Sequence, residues 1–211
     1  MYLIKYVALS GVDGSGKSTI ARILSMANPN IKVIWFRWRA FTLYALYLYS
    51  KLRGLYVRVY TPRVKRWFHV HVFHVDSVAR RLYPYLLFID LTIFYLLHKL
   101  ITVVKGVEIV LFDRFYLDAL VDTIYACRCI DRVFLKLFIA MQRKASKTLV
   151  LDIDVSTAMA RKKDIISLKE LEFKRRIYLV LAKYLNIPVI DARRSLTAVL
   201  NDSCKVLQLR C

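Results

Sequence analysis

The stretch Gly11-Val12-Asp13-Gly14-Ser15-Gly16-Lys17-Ser18 matches the phosphate-binding loop pattern G-x-x-x-x-G-K-[ST] at every position. Its glycines allow the backbone to curl so that N–H groups point at phosphate oxygens. Lys17 can neutralise the β- and γ-phosphates, and the Ser18 hydroxyl can ligate Mg²⁺. The stretch therefore predicts a site for the phosphates of a nucleoside triphosphate.

The residues on either side of the loop fit this interpretation. Residues 6–9 form an apolar run typical of a buried strand, and Ile20, Ile23 and Leu24 have helical spacing. A helix that begins at the loop adds the positive end of its dipole to the phosphate site. A fortuitous glycine-rich turn would not require this order of strand, loop and helix.

Short apolar runs alternate with helical patterns along the rest of the chain. Strands are predicted near residues 2–9, 31–36, 108–112, 148–153 and 188–190. Helices are predicted near residues 17–26, 42–53, 86–100, 117–126, 133–143, 156–163, 168–185 and from about 196. The alternation indicates an α/β fold, a parallel sheet with helices on both faces. We expect residues 1–211 to form one domain, with no clear pattern over residues 55–75.

The charge of the chain is strongly positive, with 35 Lys and Arg against 15 Asp and Glu, a formal net charge of +20. Such a field attracts nucleotides, nucleic acid or anionic lipid. A basic-aromatic stretch over residues 53–81 could bind nucleic acid or an anionic membrane surface, although it contains no known nucleic-acid module. The alternative is a solvated basic surface around a nucleotide site.

Hydropathy and cysteine usage bear on the compartment. The longest apolar run, residues 86–104, is interrupted by Asp90, His98 and Lys99, which is unfavourable for a spanning helix. No signal peptide is visible ahead of the first strand, and the four cysteines lack metal-binding or secreted spacing. We therefore expect a cytoplasmic protein with free thiols.

A second polar signal is Asp113-Arg114, which follows the apolar run at residues 110–112. A carboxylate at the carboxyl end of a strand beside a phosphate loop can hold Mg²⁺, and an adjacent Arg can stabilise a phosphoryl group in transfer. An exposed ion pair at a strand end is the simpler alternative. His69, His71 and His74 could suggest a metal site, but aromatic packing or phosphate contact suits their spacing better.

Several further motifs occur in the order of a known family. The loop carries Asp13 and Thr19 as in G-x-[DE]-G-x-G-K-[ST]-T, and Asp113-Arg114-Phe115 matches Asp-Arg-[Tyr/Phe]. The remaining matches are Leu86-Leu87-Phe88, Val104-Lys105-Gly106, Leu151-Asp152, Ala160-Arg161 and Asp191-Ala192-Arg193-Arg194-Ser195. By these motifs the chain resembles the thymidylate kinase family of P-loop nucleoside monophosphate kinases over most of its length. Residues 40–85 are the exception, since that stretch is longer than usual.

The resemblance implies ATP and Mg²⁺ as cofactors and a nucleoside monophosphate, foremost dTMP, as substrate. It implies a catalytic set of Lys17, Asp113, Arg114 and Arg161, with Mg²⁺ on Ser18 and Asp113. The implied donor site is Gly11, Val12, Asp13, Gly14, Ser15, Gly16, Lys17, Ser18, Thr19 and Ala192. The implied acceptor site is Asp13, Arg37, Arg39, Phe88, Arg114 and Asp118.

Individual roles follow from the same resemblance. Asp13 would contact the acceptor sugar, Arg37 or Arg39 would bind the acceptor phosphate, and Phe88 would stack on the acceptor base. Arg161 would pack on the donor adenine or reach its phosphates. A short lid at about residues 161–172 would begin with Lys162 and Lys163.

The chain departs from the family at the acceptor site. Thr92 stands where an Arg usually reads the thymine edge, and Asp118 stands where a Ser is usual. Asp118 and Asp122 share one helix face and could bind a sugar hydroxyl or a second ion, or compensate the helix terminus and pair with local cations. Two alternatives stay open: a kinase of a nucleoside or non-nucleotide acceptor, and a non-catalytic ATP-binding protein that docks nucleic acid or membrane. A homodimer is a further expectation.

Overall fold

The computed structural model describes residues 4–37, 41–62, 64–129, 131–165 and 167–210. Five parallel strands form the central sheet, in the order β2-β5-β1-β6-β7. They are β1 (Lys5–Ser10), β2 (Ile31–Trp35), β5 (Ile109–Asp113), β6 (Lys147–Asp152) and β7 (Val189–Asp191). The predicted parallel sheet is confirmed, and each predicted strand lies within a few residues of its expected bounds.

Helices flank this sheet, as predicted from the alternation of elements. They are α1 (Lys17–Ala27), α2 (Leu43–Leu52), α3 (Ser77–Val104), α4 (Tyr116–Cys127), α5 (Arg132–Gln142), α6 (Val155–Arg161), α7 (Leu168–Leu185) and α8 (Leu196–Leu207). A 3₁₀ turn at Phe73–Val75 precedes α3.

The sheet is buried on both faces because helices cover it, so its central strands are continuous apolar runs. Val7, Ala8 and Leu9 of β1 are fully buried beside Val110 and Leu111 of β5. Because all five strands run the same way, their carboxyl ends meet at one edge. The phosphate loop leaves β1 at this edge, and Asp113 ends β5 next to it in register with Leu9.

The stretch 55–75, which gave no clear sequence pattern, contains an antiparallel hairpin outside the main sheet. Its strands are β3 (Tyr56–Thr61) and β4 (Arg66–His71). The turn contains Pro62, and Lys65 has a φ of 49°. Side chains alternate between its two faces, so the hairpin has one face with Phe68 and another with His69.

Helix α3 begins nine residues earlier than the residue 86 predicted from sequence. The start is set by Asp76, whose side chain accepts a hydrogen bond from the backbone N–H of Ala79 at 2.8 Å. Asp90, which interrupts the apolar run, accepts the backbone N–H groups of Phe41 and Thr42 at 3.0 and 2.8 Å. The Asp90 carboxylate therefore binds the free backbone N–H groups at the start of α2 and stabilises that helix end.

Helix α3 is also long and apolar enough to cross a membrane by length and composition, with a mean hydropathy of 1.8 over its most apolar window. From sequence, residues 86–104 are unfavourable for a spanning helix, whereas the helix that forms is 28 residues long. Only 28% of that window is buried inside the protein, where Leu87, Leu91 and Tyr95 pack into the core.

The cysteines differ from the expectation of free thiols in one respect. Cys127 and Cys129 are free, whereas Cys204 is in a disulfide.

Candidate functional site

A cavity of about 350 Å³ opens at the carboxyl edge of the sheet, beside the phosphate loop. The loop, β4, α3, α4 and the start of α7 surround it. Its position is the usual one for ligands of open α/β sheets, outside the carboxyl ends of the strands.

Two loop glycines are required by space as well as by backbone conformation. Gly11 has a φ of 139°, and a Cβ there would lie 2.4 Å from the carbonyl oxygen of Leu151. Gly14 has a φ of 85°, and its Cβ would lie 2.8 Å from the carbonyl oxygen of Ala158. Both positions exclude larger residues, so the loop is held tightly against β6 and α6.

Lys17 lies inside the loop and is buried. Its Nζ donates to the carbonyl oxygens of Gly11 and Val12 at 2.7 and 2.8 Å. Burial lowers the pKa of Lys17, and repulsion by Arg114 lowers it further, to about 8. An anionic phosphate at the loop would favour the charged form, so binding of phosphate and protonation of Lys17 are coupled.

Ser18 and Asp113 form the pair expected to serve Mg²⁺. The Ser18 hydroxyl donates to Oδ2 of Asp113 at 2.5 Å. The other carboxylate oxygen, Oδ1, is buried and has no hydrogen-bond partner among the described residues. Hard oxygen ligands with one unsatisfied carboxylate oxygen fit a magnesium ion beside phosphates.

Arg114 turns back from the end of β5 toward the loop. Its backbone N–H donates to the carbonyl oxygen of Leu9 at 2.9 Å, and its φ of 71° is rare for a residue with a side chain. Such a conformation costs about 1–3 kcal/mol and is concentrated at functional sites. The strain aims the guanidinium into the cavity.

The Arg114 guanidinium forms an ion pair with Asp13, and Lys162 approaches the same carboxylate at 3.2 Å. Burial alone would raise the pKa of Asp13, but the attraction of Arg114, Lys17 and Lys162 outweighs it and holds that pKa below its ordinary value. Burial likewise disfavours the charge of Arg114, yet Asp13 and Asp118 raise its pKa above the ordinary value. Both groups are therefore charged at neutral pH.

Asp118 lies at the buried end of the cavity within a network of hydrogen bonds. It accepts from the Ser10 hydroxyl and the Tyr178 hydroxyl, each at 2.7 Å, and from the backbone N–H of Phe115 at 3.0 Å. Burial raises its pKa against the opposing attraction of Arg114 and Lys17. Of the sequence alternatives, the structure brings Asp118 to the helix terminus as a cap and also to the cavity wall.

Asp122 lies one turn further along α4, also on the cavity wall. Lys174 of α7 lies 2.7 Å from it and 2.6 Å from Glu170. Burial lowers the pKa of Lys174, but the two carboxylates outweigh that effect and raise it. Both acids of the Asp118–Asp122 pair thus have protein partners.

Arg37 lines the cavity from just beyond β2. Its guanidinium stacks over the Trp35 ring at 5.4 Å, and it forms no ion pair within the described part of the chain. Phe68 of the hairpin and Leu91 of α3 line the same cavity. Arg39, the other predicted phosphate ligand, lies outside the described residues.

Sequence reasoning missed Phe68, Leu91 and Tyr178 as residues of the cavity. Phe68 belongs to the stretch without a clear pattern, although its alternation with Trp67 and His69 would have predicted a strand. Leu91 is one turn from Phe88, so only the orientation of α3 decides which of the two faces the cavity.

Phe88 does not line this cavity. Its ring packs in an aromatic cluster with Tyr116, Phe134 and Phe138, at centroid distances of 6.0, 6.1 and 5.5 Å. Thr92 is close by, with its hydroxyl 3.3 Å from that of Tyr116. Stacking of Phe88 on an acceptor base stays a prediction from the resemblance.

Arg161 and Ala192 lie together on the donor side of the loop. The Arg161 guanidinium donates to the carbonyl oxygen of Ala192 at 3.0 Å. Between α6 and α7 the chain is short, and there Lys162 lies between Asp13 and Asp164 at 3.2 and 3.6 Å. A cation of the predicted lid is thus already at the loop, while Lys163 is exposed.

Comparison with known proteins shows that the fold of this chain is similar to that of a solved structure. No protein-family model and no curated protein sequence matches the chain. The solved structure of deoxyadenosine kinase from M. mycoides with bound dATP is similar to it, with a TM-score of 0.55 and 16% sequence identity. The match covers 97% of this chain and 99% of that kinase chain. The chain therefore has the fold of a P-loop kinase, a central parallel sheet flanked by helices.

Proposed function

We propose that this protein transfers the γ-phosphoryl group of ATP to the phosphate of a nucleoside monophosphate. One observation carries the proposal: Arg37 and Arg114 line one cavity together with Gly11 and Val12 of the phosphate loop, whose carbonyl oxygens bind Lys17. The Ser18–Asp113 pair lies where this loop and β5 end. This set contains a group for each charged part of a phosphoryl transfer between two phosphate-bearing ligands.

The residues of the chain have separable tasks in this reaction. Backbone N–H groups of the loop and Lys17 would bind the donor phosphates, and Ser18 and Asp113 would hold Mg²⁺. Bound Mg²⁺ supplies neutralisation of phosphate charge. Arg114 would stabilise the charge of the phosphoryl group in transfer, since it is charged and directed into the cavity before substrate arrives.

Arg37 supports a phosphate-bearing acceptor rather than a free hydroxyl. A hydroxyl acceptor needs a general base within hydrogen-bond reach. The chain has no acidic residue between Asp13 and Asp76, so neither β2 nor the loop after it can provide a carboxylate. The Arg37 guanidinium lines the cavity just beyond β2 and has no ion-pair partner among the described residues, which suits a phosphate.

The motif resemblance makes dTMP the first acceptor to test. Phe68 and Leu91 offer an aromatic and an aliphatic surface for a base, in the same cavity as Arg37. An Arg able to read the thymine edge is absent at position 92, so discrimination among bases should be loose.

A second candidate is phosphoryl transfer to a nucleoside, which the deoxyadenosine kinase likeness over 97% of the chain favours. Asp13 or Asp118 would then have to act as the base. Both are engaged by cations or hydroxyl donors, which makes this reading the weaker one.

Purified protein, ATP and Mg²⁺ should be assayed side by side with dTMP, dAMP, thymidine and deoxyadenosine. We expect the highest kcat/KM with a monophosphate and less than about tenfold discrimination between dTMP and dAMP, because Phe68 and Leu91 would offer a base only apolar contacts. Highest activity on a nucleoside would replace this proposal by the second candidate. Absence of transfer to all four would contradict both.

Three further expectations stay predictions: one domain over the whole chain, a cytoplasmic location and a homodimer.

A further inference from the structure

The second face of the hairpin forms a recess that the proposed reaction does not use. A cavity of about 470 Å³ lies between this face and α2. Its lining includes Tyr44 and Lys51 from α2 and Tyr56, Arg58, His69 and His71 from the hairpin. It is separate from the phosphate-loop cavity, which the hairpin borders through Phe68 on its opposite face.

The hairpin pairing collects aromatic and basic residues on this one face. Tyr56 pairs with His71, Arg58 with His69, and the next pair outward is Tyr60 with Trp67. The Tyr60 and Trp67 rings lie 5.2 Å apart between centroids. Trp67 lies on the same hairpin face, one pair beyond the recess lining, and is 61% exposed, while Tyr44 of the lining is 69% exposed. Ring surface is therefore available to a ligand in and beside the recess.

Part of the recess is held in place by contacts within the protein. His71 is fixed by Ser50, with its Nδ1 2.9 Å from the hydroxyl oxygen, and by the Tyr47 ring at a centroid distance of 4.7 Å. Lys51 and Arg58 stand at the rim and are exposed. The recess therefore combines the fixed rings of His71 and Tyr47 with the exposed cations of Lys51 and Arg58, an arrangement suited to a flat ligand that carries negative charge.

The charges of this recess lack compensation. The 62 residues between Asp13 and Asp76 contain no acid, and Arg58 and Lys51 form no ion pair within the described ranges. A recess of exposed rings and uncompensated cations attracts anions that carry aromatic faces. Single-stranded nucleic acid has both features along its whole length, because its bases are unstacked and its backbone is charged.

We infer that the recess between α2 and the hairpin binds single-stranded nucleic acid, with bases on the Tyr and Trp rings and phosphates on Arg58 and Lys51. Duplex DNA hides its base faces and would contact only the cations. A membrane surface is flat, and an interfacial segment presents a protruding apolar face to it, whereas this surface is concave. The inference does not rest on the proposed kinase activity.

Fluorescence anisotropy with a labelled oligothymidylate of about 16 nucleotides, a length within known single-strand site sizes, tests the inference. Arg58→Ala and Arg66→Ala form a matched pair, since both remove one charge from the same hairpin, on opposite faces. We expect Arg58→Ala to weaken binding about tenfold and to reduce the slope of log K against log salt by about 0.7. Arg66→Ala should weaken binding less than about twofold.

A second pair tests stacking. Tyr44→Ala should weaken binding about tenfold, as loss of one stacked base does. Leu52→Ala is its control, because Leu52 is 81% exposed at the end of the same helix and does not line the recess. Lys17→Met should bind the oligonucleotide as tightly as the unaltered protein, which separates this site from the phosphate loop.

Three results would overturn the inference. Equal losses for Arg58→Ala and Arg66→Ala would mean that only the overall field binds the probe. Duplex DNA of the same length binding as tightly as the single strand would remove the role of the rings. Stronger binding to phosphatidylcholine–phosphatidylserine vesicles than to the oligonucleotide would make the surface a membrane site.

Discussion

The phosphate-loop cavity and the hairpin recess differ in how their charges are balanced. In the first, Asp13 neutralises Arg114 and Lys162, and Asp122 with Glu170 neutralises Lys174. In the second, the described residues that line the recess beside Lys51 and Arg58 are tyrosines, histidines and Leu48, with no carboxylate among them. Balanced, partly buried charges are suited to positioning small reactants, whereas uncompensated exposed cations are suited to a polyanion whose charge they offset.

The largest effect is expected at Lys17. Lys17→Met keeps the aliphatic stem but removes the charge at the donor phosphates, and phosphoryl transfer should fall about a thousandfold or more. Lys144→Ala, an exposed lysine beyond α5, is the control and should retain full activity. Turnover of Lys17→Met near that of the control would mean that phosphoryl transfer does not take place at the phosphate-loop cavity.

Arg114→Ala should have the next largest effect. In the proposed reaction the guanidinium would stabilise the phosphoryl group in transfer, so its loss should lower kcat about a hundredfold while changing the KM for ATP little. Steady-state kinetics at saturating acceptor measure both. A raised KM for ATP with unchanged kcat would assign Arg114 to donor binding alone.

Two Phe substitutions test which aromatic residue, Phe68 or Phe88, contacts the acceptor in the phosphate-loop cavity. Phe68→Ala should raise the acceptor KM about tenfold, because stacking on a base is typically worth about 1–3 kcal/mol. Phe88→Ala should instead lower the free energy of unfolding by about 3 kcal/mol, because Phe88 packs on Phe134 and Phe138. Acceptor KM and denaturant unfolding should be measured on both variants. The reverse assignment would restore Phe88 as the stacking residue.

The smallest effect is a pH dependence of donor capture. Burial and Arg114 lower the pKa of Lys17 to about 8, so the free protein loses this charge as pH rises through 8. Phosphate binding requires the charged form, so kcat/KM for ATP should fall above pH 8 by at most about tenfold per pH unit. Lys17→Arg, which cannot lose its charge, should show no such fall. An unchanged profile up to pH 10 in the unaltered protein would contradict this.

The two regions also differ in how far sequence predicts them. The phosphate loop follows from local pattern, because its glycines, Lys17 and Ser18 act within one turn of backbone. The roles of Asp113 and Arg114 could be predicted because they stand at the end of β5, which lies next to β1, the strand that leads into the phosphate loop. These elements need few long-range contacts to be recognised.

The hairpin could not be assigned because its signal is spread over cross-strand pairs. Tyr60 and Trp67 meet only when β3 and β4 pair, and the turn at Pro62 lacks the Asn-Gly or Asp-Gly signature of a tight hairpin. The choice between Phe88 and Leu91 depends on the rotation of α3, in which Phe88 packs on Phe134 and Phe138 of α5. Packing across distant elements is what sequence patterns do not contain.

Transfer of a phosphoryl group between two phosphates in the phosphate-loop cavity can be measured directly. The label of γ-³²P-ATP is followed with Mg²⁺ and dTMP, and the labelled product is identified by chromatography. We expect label in the nucleoside diphosphate, and its loss in Lys17→Met. Label confined to ATP or released only as inorganic phosphate would contradict the proposed transfer.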